Sequence, residues 1–260
     1  KISQLFSQFD PVPLAAASLG QVHRAALHDG RAVVVKIQRP NIHEQIRDDF
    51  AALEEIAKVL HRHTEFGQRH ELLKVLEEFE SSIAHELDYR RAAANLVTLS
   101  NNLREFKRIR IPLPVDRYTT HKVLTMEYID GTKITELSPL TRVDLDGRAV
   151  AEELFQGYRN QVFLDGIFHA DPHPGNVFLT QDNRIALLDL GQVAHVGPDL
   201  QEDLLRLVIA IAEGQSDDAV EFALKNGEAL DGFDERRLRR EVADLVARQR
   251  NADLRSQHVG

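Results

Sequence analysis

The sequence predicts an α+β fold with two lobes, a small mixed lobe over residues 1–128 and a mainly helical lobe over residues 129–260. Three observations predict it. An apolar, β-branched run occupies residues 32–37, and a short strand pattern at residues 123–127 runs into a polar turn. Helical spacing of apolar residues dominates most of the chain beyond that turn. With 43% hydrophobic residues, the 260-residue chain can bury a sizeable core.

The first lobe is predicted to contain a buried strand that carries one cation. Residues 32–37 read Ala-Val-Val-Val-Lys-Ile, so Lys36 is embedded among side chains typical of a sheet. A buried lysine needs an anion close to it. The alternative is a lysine on an edge strand whose ammonium group extends into water. The motifs farther along the chain favour the first interpretation.

Two long helices are predicted to follow this strand, over Ile42–His63 and over Glu71–Leu99. Glu86 lies on the flank of the apolar stripe of the second helix, where its carboxylate could turn toward Lys36. The same helix offers two alternative partners for the lysine, Glu78 and Glu80. Most acidic residues of this helix are expected to be solvated surface charge.

The second lobe is predicted to be mainly helical. Helical patterns cover residues 142–163, 200–212, 216–226 and 234–250. The last of these carries four clustered cations, Arg236, Arg237, Arg239 and Arg240. This cluster is most simply the solvated face of a helix, and such a face can also contact anionic lipid.

A polar motif between these helices points to phosphoryl transfer. It reads His-Ala-Asp-Pro-His-Pro-Gly-Asn over residues 169–176, and Leu-Leu-Asp-Leu-Gly follows at residues 187–191. Asp171, Asn176 and Asp189 reproduce the order of the protein-kinase pattern, in which a catalytic Asp precedes two metal ligands. The sequence therefore predicts a site for ATP and Mg²⁺, with Asp171 as the catalytic residue.

The two metal-ligand candidates are predicted to meet at the end of a hairpin. Val177–Leu179 and Ile185–Leu188 read as short buried strands joined by a tight polar connection. The open end of such a hairpin would hold Asn176 and Asp189 side by side. Both side chains could then reach one metal ion.

The upstream residues complete this kinase-like site. Lys36 is expected to contact the nucleotide phosphates, with Glu86 behind it. The strand that ends near Gly131 is expected to present the backbone of Glu127 and Ile129 to the adenine edge, and Met126 is expected to line the pocket. The alternative is that this segment is an ordinary core strand.

An alanine-rich loop stands where protein kinases carry a glycine-rich loop over the phosphates. It reads Pro-Leu-Ala-Ala-Ala-Ser-Leu-Gly-Gln-Val-His-Arg-Ala over residues 13–25. Further motifs are Val-Lys-Ile-Gln-Arg-Pro at residues 35–40, Glu-Leu-Asp-Tyr-Arg at 86–90, Met-Glu at 126–127 and the segment 168–176. Over residues 9–195, this combination resembles the UbiB family of atypical protein-kinase-like proteins, also called AarF domain-containing kinases.

The resemblance implies a role for each matching position. The residues that would cover the nucleotide are Ala15, Ala16, Ala17 and Ser18. Glu86 and Asp88 match the family's E-x-D motif, and Asp171 matches its catalytic-loop Asp. Lys36 would meet the phosphates, and the metal ligands would be Asn176 and Asp189.

The resemblance also implies a cellular role. Members of this family support isoprenoid-quinone (ubiquinone) biosynthesis, associate with membranes and behave more readily as ATPases than as kinases of proteins. The implied partners are ATP, an isoprenoid lipid or quinone-biosynthesis proteins. The expected location is the cytoplasmic or the matrix or stromal side of a membrane, with peripheral contact.

The chain departs from the family pattern at several positions. The family's K-x-G-Q motif is absent before the alanine-rich loop, so the chain is expected to be a fragment. Val34 replaces the Ala of the kinase V-A-I-K pattern, which is expected to tighten the adenine pocket. Residues 91–95 lack the family's acidic residue after the E-x-D motif. Leu190 replaces the Phe of D-F-G.

Two alternative functions remain open from the sequence. The spacing of His169, Asp171, His173 and Asn176 also occurs in small-molecule kinases of the aminoglycoside- and choline-kinase type. A pseudokinase scaffold, which binds nucleotide without turnover, is the other alternative. The alanine-rich loop argues against the first, and intact candidate catalytic residues argue against the second.

Composition narrows the classes of partner and compartment. The chain has no Cys, so disulfides are impossible. Its net charge of −9 argues against nucleic-acid binding. No signal peptide and no membrane-spanning run are recognisable in the sequence.

Overall fold

The structure is a computed structural model that describes residues 1–16, 18–64, 72–138, 146–227, 229 and 232–256. The chain forms two compact units. The first comprises Lys1–Gly157 and His169–Ala194, and the second comprises Tyr158–Phe168 and His195–Gly260. The predicted boundary between lobes, at residues 128–129, falls inside the first unit and stays a prediction.

The described residues contain eleven β-strands and eight α-helices, which confirms the predicted α+β class. The strands are β1 Gln8–Phe9, β2 Ala15–Ala16, β3 Gly20–Ala26, β4 Ala32–Gln38, β5 Ile109–Arg110, β6 Val123–Glu127, β7 Gly131–Lys133, β8 Ile167–His169, β9 Val177–Thr180, β10 Ile185–Leu187 and β11 Val193–His195. The helices are α1 Ile2–Leu5, α2 Ile42–His63, α3 Leu72–Glu86, α4 Tyr89–Asn102, α5 Gly147–Asn160, α6 Pro198–Glu213, α7 Ser216–Asn226 and α8 Glu235–Ser256.

The first sheet places the predicted lysine strand at its centre. Its order is β1-β3-β4-β6, with β2 also paired to β3, and each pair of neighbours is antiparallel. Val33 and Val35 pack into one core and Val34 packs into another. Because side chains alternate along a strand, Lys36 shares the face of Val34.

The second sheet contains the predicted hairpin. Its order is β5-β10-β9-β7, and β9 pairs with β10 in antiparallel register, with Val177 opposite Leu187. Asn183 adopts a left-handed conformation, with φ 59°, in the connection between the two strands. Asn is one of the residues that tolerate this conformation. The predicted strands and their tight polar connection are confirmed.

The prediction of one helix over residues 71–99 is wrong, because the structure contains two helices there. Helix α3 ends at Glu86 and α4 begins at Tyr89. Between them, Asp88 has a non-helical backbone, with φ −92° and ψ 93°, and its side chain accepts a hydrogen bond from the Arg90 N–H. A capping aspartate offers this N–H an alternative to the preceding helix. The first predicted position, residue 71, lies outside the described residues.

The remaining predicted helices are confirmed with small changes of their bounds. Helix α2 has the predicted bounds, as does α7. Helix α6 ends at Glu213 and is followed by Gly214, whose φ of 80° suits a glycine at a helix C-terminus. Helix α5 begins at Gly147. Of the predicted positions before it, residue 146 precedes the helix, and residues 142–145 lie outside the described residues.

Acidic residues accompany the arginine cluster of α8. Arg237 forms an ion pair with Glu241 at 2.8 Å, and Arg239 forms one with Glu235 at 2.7 Å. Both are pairs of residues one helical turn apart. This arrangement agrees with a solvated helix face.

The main core of the first unit lies between α4 and the strands that carry the candidate site. Leu96 and Leu99 of α4 are buried together with Met126 of β6 and Leu187 of β10. Leu190, directly after the candidate Asp189, is 2% exposed and belongs to the same cluster. The candidate site is therefore attached to a packed core on both sides of Asp189.

Candidate active site

Lys36 and Asp189 meet in an ion pair. The Lys36 Nζ donates a hydrogen bond to Asp189 Oδ2 at 3.0 Å. The β-sheet register holds Lys36 between Val22 and Leu124, on the central strand. The side chain of Lys36 is 21% exposed and that of Asp189 is 41% exposed, so the pair lies at an opening and not in the deep core.

The backbone after β10 fixes the orientation of Asp189. The Gly191 N–H donates to Asp189 Oδ1 at 3.2 Å. On the next residue, the Leu190 carbonyl accepts a hydrogen bond from Asn95 Nδ2 of α4 at 3.2 Å. Burial disfavours the charged form of Asp189, but the Lys36 ammonium and the Gly191 N–H outweigh it and hold the pKa of Asp189 below its ordinary value. Asp189 is therefore a carboxylate at neutral pH.

The hairpin brings Asn176 next to the segment that carries Asp189. The Leu188 N–H donates to the Asn176 carbonyl oxygen at 3.0 Å, one residue before Asp189. A short 3₁₀ turn, Pro174–Asn176, precedes β9, and the His173 Nδ1 accepts from the Gly175 N–H at 3.0 Å. The backbone thus places the two metal-ligand candidates at the same end of the hairpin, as the sequence predicts.

Asp171 lies on the same loop and is exposed. Its carbonyl oxygen accepts a hydrogen bond from the His173 N–H at 2.8 Å, which makes the loop turn tightly toward Asn176. An exposed carboxylate at this position is accessible to water or to an acceptor molecule. The predicted catalytic role of Asp171 stays a prediction.

The donor set at the end of the hairpin suits Mg²⁺ shared with a nucleotide. Asn176 and Asp189 offer an amide oxygen and an ionised carboxylate, which are the hard oxygen ligands that Mg²⁺ prefers. Among the described residues, no group of three or more His, Asp or Glu side chains is arranged to hold a metal. Two protein ligands, with phosphate and water oxygens for the rest, match the usual mode of Mg²⁺ binding in kinases.

Glu86 lies near the site but does not contact Lys36 in this structure. As the last residue of α3, it accepts a hydrogen bond from Gln192 Nε2 at 3.4 Å. The carboxylate in contact with the Lys36 ammonium is that of Asp189. The predicted pairing of Glu86 with Lys36 stays a prediction.

Gln38 is a structural residue of this region that sequence reasoning missed. It is buried, and its Nε2 donates to the carbonyl oxygens of Leu87 and, at 3.2 Å, His121. Asp88 accepts from His121 Nδ1 at 3.2 Å. The end of β4 is therefore tied to the break between α3 and α4. A polar residue at a buried strand position, two residues after Lys36, was the available signal.

Part of the alanine-rich loop forms strand β2 of the first sheet. Ala15 pairs with Val22 and Ala16 pairs with Gln21, and both alanines are exposed. Ser18 is also exposed. Ala17 lies outside the described residues. The predicted role of this loop as a cover for the nucleotide stays a prediction.

The segment predicted to contact adenine is strand β6 and the turn after it. Met126 is buried opposite Val34 in the register of β4 and β6. The Glu127 N–H donates to the Leu113 carbonyl at 3.0 Å. Ile129 is 6% exposed, and no described residue accepts a hydrogen bond from its N–H. The predicted adenine contacts of Glu127, Ile129 and Met126 stay predictions.

Tyr89 is a second residue at the site that sequence reasoning missed. The Lys36 Nζ lies 5.4 Å from the centroid of its ring. The ring is 2% exposed, and its hydroxyl has no hydrogen-bond partner in the described part of the chain. A buried phenol with no partner is uncommon in a folded protein. The available signal was its place in the Glu-Leu-Asp-Tyr motif.

Comparisons with known proteins show the family of this chain. A model of the ABC1 atypical kinase-like domain matches residues 1–223. The chain is 38% identical over 213 residues, 80% of its length, to the probable protein kinase UbiB of Marinobacter nauticus. It is 34% identical over 230 residues, 87% of its length, to the chloroplastic protein ACTIVITY OF BC1 COMPLEX KINASE 8 of Arabidopsis thaliana. The predicted resemblance to UbiB-type proteins is confirmed.

A solved structure of similar fold is the complex of Rv3197 with erythromycin from Mycobacterium tuberculosis. It superposes with a TM-score of 0.68 at 29% identity and covers 90% of this chain. The present chain spans 58% of that chain, and 39% and 30% of the lengths of the Marinobacter and Arabidopsis relatives. The fold match and the family model confirm the predicted kinase-like fold.

Proposed function

Because the chain belongs to the ABC1 atypical kinase-like family, we propose that it binds ATP with Mg²⁺ and transfers the γ-phosphoryl group to water or to an acceptor molecule. One observation carries this proposal. Lys36 and Asp189, 153 residues apart in the sequence, lie 3.0 Å apart beside the hairpin end that holds Asn176. A cation for phosphates and oxygen ligands for a metal are the parts that phosphoryl transfer needs.

The ion pair would open when the site is loaded. Lys36 would orient the phosphates, and Asp189 and Asn176 would hold Mg²⁺. When bound, the metal neutralises negative charge on the phosphate oxygens. The Ile129 N–H and the Glu127 carbonyl would receive the adenine edge, between Met126 and Val34. Glu86 would then pair with the freed lysine, as predicted from the sequence.

Asp171 would position the acceptor. An acceptor oxygen forms a bond to the γ-phosphorus as the bond from that phosphorus to the β–γ bridging oxygen breaks, and ADP leaves. Asp171 would accept the proton of the acceptor hydroxyl or water. Its exposure to solvent is consistent with hydrolysis as well as with transfer.

The cellular role that we propose is support of isoprenoid-quinone biosynthesis or lipid metabolism, at the surface of a membrane. The proposed partners are an isoprenoid lipid or proteins of quinone biosynthesis. The name of the Marinobacter relative, UbiB, supports this assignment. In the part of the chain that the structure describes, no helix combines the length and apolar character needed to cross a bilayer.

A second candidate function is a nucleotide-binding scaffold without turnover. One observation favours it, because Lys36 contacts Asp189 and not Glu86, whereas active kinases pair this lysine with a helix glutamate. Binding of ATP without release of phosphate under any condition would support this candidate.

Phosphate release from ATP tests the main proposal. We expect Mg²⁺-dependent hydrolysis by the chain and loss of at least 100-fold, roughly, in Asp189→Asn, because the metal loses its charged ligand. Asp217→Asn is the matched control, since this carboxylate is 91% exposed on α7 in the second unit. Hydrolysis that is equal in all three proteins contradicts the assigned site.

Lipid vesicles distinguish the proposed cellular role from a soluble small-molecule kinase. We expect anionic vesicles to increase the rate of ATP hydrolysis by the chain. Neutral vesicles of the same size are the control. A rate that no vesicle changes would contradict the membrane assignment and leave the nucleotide site intact.

A further inference from the structure

Tyr89 supplies the contact between helix α4 and Lys36. The Lys36 Nζ lies 5.4 Å from the centroid of the Tyr89 ring, within the range of a cation–π contact. Helix α4 reads Tyr-Arg-Arg-Ala-Ala-Ala-Asn-Leu-Val-Thr-Leu-Ser-Asn-Asn and carries no acidic residue. This helix therefore presents an aromatic ring to the lysine and has no carboxylate to offer it.

The hydroxyl of Tyr89 is buried. It has no hydrogen bond in the described part of the chain. A Cβ built on Gly20 would lie 2.9 Å from it, so the hydroxyl lies close to the backbone of the alanine-rich loop. Burial, followed by the nearby charges of Asp189 and Glu86, raises the pKa of Tyr89. The hydroxyl thus keeps its proton and can donate it in a hydrogen bond.

The backbone holds this side chain firmly in place. Tyr89 is the first residue of α4, and its N–H donates to the His121 carbonyl at 3.2 Å. Asp88 caps the helix immediately before it. Leaving a buried donor without an acceptor costs stability, and a phenylalanine at this position would avoid that cost. The stability of the ligand-free protein therefore does not explain why this position carries a hydroxyl.

We propose that Tyr89 is a phosphate-positioning residue, whose ring orients Lys36 and whose hydroxyl donates a hydrogen bond to a phosphate oxygen of the bound nucleotide. The inference rests on the proposed function and adds a binding group to that site. The phosphate that separates Lys36 from Asp189 would bring the acceptor that the hydroxyl lacks. The ligand class is a nucleoside di- or triphosphate.

Substitution of Tyr89 by Phe separates the two parts of this role. Tyr89→Phe keeps the ring beneath Lys36 and removes only the hydroxyl. We expect this variant to unfold at a higher urea concentration than the parent chain, because a buried donor without a partner is gone. We also expect it to bind ATP and ADP roughly tenfold more weakly, as for loss of one hydrogen bond to a charged acceptor.

The experiment is a calorimetric titration with ATP, ADP and adenosine in EDTA, so that no metal contributes. Tyr118→Phe is the matched control, because it removes a hydroxyl from a ring that packs against Phe6 and Arg117 and not against Lys36. Tyr89→Leu removes the ring as well. We expect it to lose more ATP affinity than Tyr89→Phe, since Lys36 is then no longer oriented.

The outcomes separate this inference from the proposed function. Weaker binding of ATP and ADP by Tyr89→Phe, with adenosine binding unchanged, supports the inference. Equal losses for all three ligands, or no loss for any, overturn it while the parent chain's binding of ATP upholds the nucleotide site. If the parent chain binds only when Mg²⁺ is added, the variants are compared with Mg²⁺ present. A parent chain that binds neither ATP nor ADP in EDTA, nor when Mg²⁺ is added, overturns the proposed function and this inference together.

Discussion

Lys36 lies between a carboxylate and an aromatic ring, and this position explains how one side chain can serve both a closed and a loaded site. Its ammonium is 3.0 Å from Asp189 Oδ2 and 5.4 Å from the Tyr89 ring centroid. The ion pair keeps both charges compensated in the ligand-free protein. In the loaded site, the phosphates would replace the Asp189 carboxylate as the partner of Lys36, and Mg²⁺ would replace the Lys36 ammonium as the partner of Asp189. Both charges would therefore stay compensated.

The ion pair between Lys36 and Asp189 should affect how the stability of the fold changes at acid pH. The pKa of Asp189 is lowered in the folded protein, so its ionised form stabilises the fold above the ordinary aspartate pKa of about 4. That contribution is lost as the pH falls through the lowered value. Lys36→Met removes one cause of the lowering. We expect this variant to be less stable than the parent chain at pH 7. Between roughly pH 5 and pH 2, its free energy of unfolding should fall by a smaller amount than that of the parent chain.

Urea unfolding at several pH values checks this prediction. Lys133→Met is the control, because Lys133 and its partner Glu136 are both more exposed than Lys36. Exposed pairs contribute little to stability. Parallel profiles of stability against pH for the parent chain and Lys36→Met would contradict the prediction, because they would show that the pKa of Asp189 does not depend on the lysine.

Gly20 makes a second prediction at the residue scale. An added Cβ would lie 2.6 Å from the Ile37 carbonyl oxygen and 2.9 Å from the Tyr89 hydroxyl. The first neighbour is backbone and cannot move without disturbing the pairing of β3 with β4. We expect Gly20→Ala to lower the free energy of unfolding by about 1–3 kcal/mol, measured in urea.

Gly147→Ala is the matched control for this substitution. Gly147 begins α5, and an added Cβ there would meet no atom of the described residues within 4 Å. Alanine has a higher helix propensity than glycine, so stability should be unchanged or slightly increased. A Gly20→Ala protein as stable as the Gly147→Ala protein would contradict the close packing beneath the alanine-rich loop.

At the scale of elements, the break between α3 and α4 decides where Glu86 and Tyr89 lie. Asp88 caps α4 through the Arg90 N–H and also contacts His121. We expect Asp88→Ala to reduce the free energy of unfolding by about 1 kcal/mol, as for loss of a helix N-cap. Asp88→Asn retains an acceptor oxygen and should lose less. Equal stability of all three proteins, measured by circular dichroism in urea, would contradict the capping role.

The same break shows what the sequence could not predict. The apolar stripe continues from Leu72 to Leu87, and periodicity alone therefore favours one helix. Two polar interactions favour the break: Asp88 caps α4 locally, and Gln38 forms a tertiary hydrogen bond to the Leu87 carbonyl. The spacing of apolar residues carries no information about either. The hairpin, in contrast, was predictable because turn chemistry and two apolar runs agree there.

At the scale of the whole molecule, the family match and the fold confirm two predictions from the sequence, the resemblance to UbiB-type proteins and the kinase-like fold. The order of Lys36, Asp171, Asn176 and Asp189 along the chain, together with the alanine-rich loop, predicted a kinase-like fold. The contacts made by each side chain were not predictable in the same way. Tyr89 is an example, because its approach to Lys36 depends on how α4 packs beneath the first sheet, which no local pattern contains.

The central claim is that Lys36, Asn176 and Asp189 form one site for ATP and a divalent cation. A crystal structure of the chain with a non-hydrolysable ATP analogue and Mn²⁺ tests it most directly, because the anomalous signal of Mn²⁺ locates the metal. We predict a metal peak coordinated by Asn176 and Asp189, with the Lys36 Nζ moved from Asp189 onto the phosphates. A metal bound elsewhere, or phosphates away from Lys36 while its ion pair with Asp189 persists, would contradict the account.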